Sequence, residues 1–112
     1  MASETPRPGR PVRGSESGRP IMAALDLLGR RWALRVLWEL NGPPAGFREL
    51  QRRCGQMSSS VLTTRLNELV EAGLVTDDAG YRLTPLGHDL VEALGPLNEW
   101  SERWSQAERL GS

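Results

Sequence analysis

The stretch SSSVLTTRLNELVEAGL, residues 58–74, most limits what this chain can fold into. Val61, Leu62, Leu66, Leu69 and Val70 recur at helical spacing, whereas Ser60, Thr64, Asn67 and Glu71 fall on the opposite side. One face of the predicted helix is core and the other is small and polar. Both ends are specified: Ser58 supplies an N-terminal cap, and Gly73 followed by Leu74 supplies a left-handed stop with its apolar contact. Just upstream, residues 47–54 (FRELQRRC) predict a shorter helix with Leu50 and Cys54 inward and Arg48, Arg52 and Arg53 outward. The linker between them is GQM. A short helix, a tight glycine-containing turn and a longer helix opening on hydroxyl side chains predict a helix-turn-helix, whose second helix characteristically enters the major groove of DNA.

The flanking segments complete a small domain around this motif. Ile21, Leu25, Leu28 and Trp32 are spaced by four, three and four, and Gly29 marks a break between a helix over residues 20–28 and a second over 30–40. In the second, Trp32, Val36 and Leu40 predict one stripe with Ala33 and Leu37 beside it, and residues 41–44 (NGPP) end it. Arg30, Arg31 and Arg35 read as a solvated face, with a position near DNA as the alternative. Beyond the motif, residues 74–76 and 81–83 predict two short strands joined by Asp77, Asp78, Ala79 and Gly80, a hairpin or wing. Thr84 and Pro85 then cap and launch a helix through Leu86, Leu90, Val91, Leu94 and Leu97, kinked or split at Gly95 and Pro96. The expected fold class is mainly α with a small β-hairpin wing, a winged helix-turn-helix in a single domain over residues 19–110. Residues 1–18, rich in Pro, Gly and Ser, predict a disordered tail. Whether its Arg7, Arg10 and Arg13 reach DNA stays open.

Composition narrows the function classes. At 112 residues, 38% hydrophobic and 25% charged, the chain has room for one globular domain. Its single cysteine, Cys54, leaves no internal disulfide and no cysteine-rich zinc site, which suits a reducing compartment. No apolar run approaches the ~20 residues of a membrane span, and the N-terminus lacks the apolar core of a secretory signal, so a cytoplasmic location is expected. The zero net charge hides a segregation: residues 1–57 carry ten Arg against five Asp or Glu, and residues 58–112 carry four against nine. Every basic residue is Arg and none is Lys. The guanidinium fork suits phosphate and guanine recognition, but a genomic composition bias is the favoured account of the missing Lys.

Four blocks, ALDLLGRRW (24–32), FRELQRR (47–53), SSSVLTTRLNELVEAGLV (58–75) and YRLTPLG (81–87), stand in an order and spacing that closely resembles the HxlR-type winged helix-turn-helix regulators, relatives of the MarR group. The likeness runs over roughly residues 19–104. It implies a bacterial transcription regulator that acts as a homodimer on a (pseudo)palindromic operator. Three departures stand out. The Cys-Pro pair that many members carry ahead of the first helix is here Arg19 and Pro20; the Ser-Pro-Lys that commonly opens the recognition helix is Ser58, Ser59 and Ser60; and the wing is short, with Asp77 and Asp78 near its tip.

No catalytic constellation emerges, and no cofactor or metal is expected. Cys54 occupies an apolar position one turn from Leu50 and reads as core, and His88 reads as surface. The serine run lacks the glycine-flanked setting of a hydrolase nucleophile. Asp77, Asp78, Asp89 and Glu92 lie at a hairpin and a helix start, where carboxylates are ordinarily solvated. Double-stranded DNA is the expected partner, with Ser59, Ser60, Thr63, Thr64 and Asn67 reading bases and Arg48, Arg52, Arg53, Arg65 and Arg82 holding phosphates. The second expected partner is another copy of the chain. A stripe through Leu90, Leu94, Leu97, Trp100 and Trp104 exceeds what a monomer this small can cover, and pairing of the first helices through Ile21 and Leu25 agrees with the resemblance. A small-molecule effector is compatible with this reading and has no residue signature. The alternative is a winged-helix protein-interaction module with weak or no DNA binding, which the missing Lys and the acidic wing would both suit.

Overall fold

The computed structural model describes residues 5–8 and 18–111. Within them the order is α1 (Pro20–Leu28), α2 (Ala33–Glu39), α3 (Phe47–Arg53), α4 (Ser59–Glu71), β1 (Val75–Asp77), β2 (Tyr81–Leu83), α5 (Pro85–Ala93) and α6 (Gly95–Gly111). Helix α1 has its expected bounds, opened by a proline whose missing N–H would have had no partner there. Helix α2 starts three residues later than its periodicity suggests. Trp32 adopts φ +73° and acts as the N-cap, so the chain turns before it coils. This swings Trp32 out of the expected stripe to 40% exposure, with the Arg31 guanidinium 5.2 Å from the ring centroid. Ala33, Val36, Leu37 and Leu40 carry the inward face instead.

The core lies where α2 and α4 meet. Val36, Leu37 and Leu40 are fully buried together with Leu62, Leu66 and Leu69, and Leu50 of α3 and Val75 of β1 join them. Each leucine contributes about 1.5 to 3 kcal/mol by leaving water, so the inner face of α4 is the main anchor of the motif. Val70, expected on that face, lies at its edge and is 41% exposed.

The hairpin pairs β1 and β2 antiparallel, Thr76 opposite Arg82, one residue later than expected on the first strand. Tyr81 also exchanges backbone hydrogen bonds with Ala45, at 2.7 and 3.0 Å. The loop between α2 and α3 is thereby tied to the wing, a link that no local pattern announces. Asp77 and Asp78 are exposed, as is Arg82.

A tight junction fixes the wing to α5. The Thr84 hydroxyl donates to the Gly73 carbonyl at 2.7 Å and accepts from the Gly87 N–H at 3.0 Å, and the Thr84 N–H donates to the Leu74 carbonyl. The α5 backbone passes so close that a Cβ on Gly87 would stand 2.1 Å from the Leu74 oxygen. Helix α5 then ends at Leu94, and Gly95 with Pro96 opens a separate α6, resolving the expected kink as a split. None of the residues of α6 is buried. Among the described residues no helix is long and apolar enough to cross a membrane.

Four residues of the N-terminal segment, 5–8, lie among the described residues. Thr5 and Pro6 are buried, and the Thr5 hydroxyl and the Arg7 guanidinium donate to the two carboxylate oxygens of Glu71, at 3.1 and 3.0 Å. Arg10 and Arg13 lie outside the described residues. The close approach at Gly87 gives a direct test. Gly87→Ala should cost at least about 2 kcal/mol in urea unfolding, whereas Gly42→Ala, with open space around its added methyl, should stay within about 0.5 kcal/mol of the parent.

Candidate nucleic-acid interface

The turn between α3 and α4 is built from backbone chemistry before any side chain can face DNA. Helix α3 ends on Gly55 and Gln56, both in the left-handed region, with φ +73° and +62°. Their N–H groups donate to the Arg52 and Gln51 carbonyls at 3.0 and 2.9 Å, the double bond that closes a helix on a left-handed stop. The Gln51 amide reaches across the turn and donates to the Met57 carbonyl at 2.8 Å and the Ser59 hydroxyl at 3.3 Å. Ser58 caps α4 by accepting from the Val61 N–H, also at 3.3 Å. Helix α4 ends on the same device as α3: Gly73 and Leu74 donate to Val70 and Leu69, both at 3.0 Å. Its axis is thus held at both ends and along its buried side.

What α4 leaves outside is the polar face. Ser59, Ser60, Thr63, Thr64 and Asn67 are all exposed. Thr64 donates its hydroxyl back to the Ser60 carbonyl at 2.9 Å, and the Ser59 hydroxyl accepts from Gln51. The side chains of Ser60, Thr63 and Asn67 make no hydrogen bond among the described residues, so their donors and acceptors stay open to a ligand. The first turn of α4 carries no acidic residue to offset its positive end.

The five arginines expected at phosphates divide into two groups. Arg48 on α3 and Arg82 on β2 are exposed and form no ion pair among the described residues. Arg52 is exposed but pairs with Glu49. Arg53 and Arg65 are committed within the fold. Arg53 donates to the Glu39 and Pro43 carbonyls at 3.3 and 3.1 Å and to Glu49 at 3.2 Å, while Arg65 donates to the Arg31 carbonyl at 2.6 Å and to Glu68 at 2.7 Å. Hydrogen bonds from Arg52 and then Arg53 hold the Glu49 carboxyl below the usual carboxylate range.

Arg30, expected on a solvated face, is also folded in. It meets Glu68 at 2.5 Å and Asp26 at 3.6 Å, joining Arg65 through the shared Glu68 carboxylate. This cluster bolts the back of α4 to the α1–α2 turn. Its two halves, Asp26 with Arg30 and Arg65 with Glu68, lie 35 to 42 positions apart, so only the fold could reveal their meeting. Gln51 was missed because its acceptors, the Met57 carbonyl and the Ser59 hydroxyl, lie across a turn that interrupts the helical period.

The expected association residues are outward-facing. Ile21, Leu25, Leu97, Trp100 and Trp104 are each about half exposed, and Leu94 is partly covered. Trp100 and Trp104 stack on one another with centroids 5.4 Å apart and planes at 21°. Among the described residues no cluster of His, Cys, Asp or Glu could hold a metal ion, and His88 is exposed.

The HxlR-like helix-turn-helix family profile matches residues 27–109. The chain belongs to this family. An HTH-type transcriptional regulator of Bacillus subtilis, YvaP, is 30% identical over 72% of the chain and 82% of its own length. Another from Mycobacterium tuberculosis, Rv3095, is 34% identical over 78% of the chain, which spans 60% of that relative. Among solved structures, quinone-bound YodB of Bacillus subtilis superposes with a TM-score of 0.68 at 27% identity, covering 74% of this chain and 94% of that one. The winged helix-turn-helix is therefore that of an HxlR-type transcriptional regulator, and not of an enzyme.

Cys54 is buried at the C-cap of α3, and burial, with the nearby charge of Glu39, pushes its thiol pKa up. An aromatic disulfide reagent at neutral pH should modify it at least about 100-fold more slowly in the native protein than in urea. Comparable rates in both states would show that the thiol is accessible.

Proposed function

We propose that two copies of the chain bind a (pseudo)palindromic operator, each laying the exposed face of α4 in a major groove. The observation that carries this is the contrast along one helix: Leu62, Leu66 and Leu69 are sealed, while Ser60, Thr63 and Asn67 stand out with uncommitted hydrogen-bonding groups. These three, with Ser59 and Thr64 beside them, read base edges. Arg48 and Arg82, with no carboxylate partner among the described residues, hold phosphates, and Arg52 joins them by exchanging Glu49 for the backbone. Arg53 and Arg65 serve by keeping α3 and α4 in place.

Dimerisation rests on α6, which buries none of its own residues, together with Ile21 and Leu25 of α1. The stacked tryptophans form a rigid apolar anchor of the size that dominates protein interfaces. Such a dimer would hold its two recognition helices about 34 Å apart, one turn of the duplex. The regulator works in the cytoplasm. A small-molecule effector is its third partner, a reading supported by the quinone bound to the structurally similar YodB.

Binding to randomised duplexes separates the roles. Ser60→Ala and Thr63→Ala should shift the preferred site by about 1 to 3 kcal/mol at individual base pairs. Arg48→Ala and Arg82→Ala should weaken all duplexes alike and flatten the dependence of log affinity on log salt by about one unit each. Uniform weakening by both sets would remove α4 as the reading face. For association, sedimentation of the Trp100→Ala, Trp104→Ala double variant should give a folded monomer with weakened operator binding, and an unchanged dimer would place the interface elsewhere.

A further inference from the structure

An open groove of about 640 Å³ runs between α1, the end of α4 and α5, on a side of α1 distinct from Ile21 and Leu25. Its size is that of a site for a drug-sized molecule. Leu27 and Leu28 of α1, Leu74, and Leu86 and Leu90 of α5 line it with hydrocarbon, and prolines of the N-terminal segment form its rim. Leu86 is 58% exposed there, apolar surface that the described residues leave uncovered.

Two charged residues stand among the lining residues, and they are not equivalent. Arg7 is neutralised by Glu71, 3.0 Å away at the end of α4. Asp89 forms no ion pair among the described residues, so its carboxylate sets the sign of the field over an otherwise apolar wall. An anion entering the groove would meet that charge as repulsion. A primary ammonium would lose its tightly held water against leucine side chains that cannot replace it, whereas a cation with delocalised or quaternary charge is weakly hydrated and loses little.

We propose that this groove is a binding site for bulky organic cations, with Asp89 as the counter-ion and the leucine wall as the contact surface. Displacement of water by such a ligand lowers the local dielectric and strengthens its attraction to Asp89. The ligand lies against the segment that Thr5 and Arg7 tie to Glu71, so the occupied groove abuts the last turn of α4.

Tetraphenylphosphonium and tetraphenylborate share one shape and carry opposite charges, which makes them the probes of choice. Calorimetry on the full chain should show the phosphonium binding at least about tenfold more tightly than the borate. Asp89→Asn should erase most of that preference. Leu86→Arg, an exposed change that places a cation at the mouth, should weaken the phosphonium by about tenfold or more, and Glu92→Gln, on the same helix but outside the groove lining, should leave it unchanged. Circular dichroism of each variant should match the parent. Equal affinity for the two ions, no binding of the phosphonium, or a preference that survives Asp89→Asn would overturn the proposal, as would equal sensitivity to Glu92→Gln. None of these measurements involves DNA, so the groove is tested separately from operator recognition.

Discussion

The packing of α4 against α2 is the contact on which the other features of the domain depend. With Leu62, Leu66 and Leu69 locked against Val36, Leu37 and Leu40, the rotation of α4 about its own axis is set, and with it the identity of every outward side chain. Truncating one of these leucines to alanine removes about 2 to 5 kcal/mol from a small domain. A large share of the total stability therefore guards one helix orientation. The polar cluster of Arg30, Glu68 and Arg65 adds little by area, but it resists sliding of α4 along the helix behind it.

Charge in this chain is sorted by availability rather than by count. Several arginines near the motif are spent on carbonyl groups and carboxylates, where they brace turns that hydrogen-bonded side chains alone would leave loose. Few remain for a polyanion. The acidic tip of the wing and the Arg52 pairing with Glu49 further moderate the attraction that this face offers a polyanion.

Much of the fold was legible because its signals are local. The Ser58 cap, the Gly73 stop, the Thr84 and Pro85 launch and the break at Gly95 and Pro96 each act within one helical turn, and each stands where the residue types place it. The departures come from a local backbone turn at Trp32 and from partners outside the helical window. Trp32 follows the helical period yet turns outward because the α1–α2 connection needs a left-handed residue before α2 can start. Arg53 and Arg65 look like surface cations in a window of seven residues, and the carbonyls that fold them in, those of Pro43 and Arg31 among them, lie 10 and 34 positions away. The bridge from Ala45 to Tyr81 has no periodic signature, since it involves a single residue on each side. At the recognition face, residue type and helical phase were sufficient to find the exposed set, but not to show that Thr64 and Ser59 already have partners.

The placement of the aromatic residues has a spectroscopic consequence. All four tryptophans are exposed to a similar degree, while the fully buried residues are aliphatic. Indole emission from this protein therefore samples its perimeter. Quenching or a wavelength shift reports what docks against α2 and α6, and loss of the aliphatic interior is better followed by backbone dichroism, so the two signals separate assembly from unfolding in a single sample.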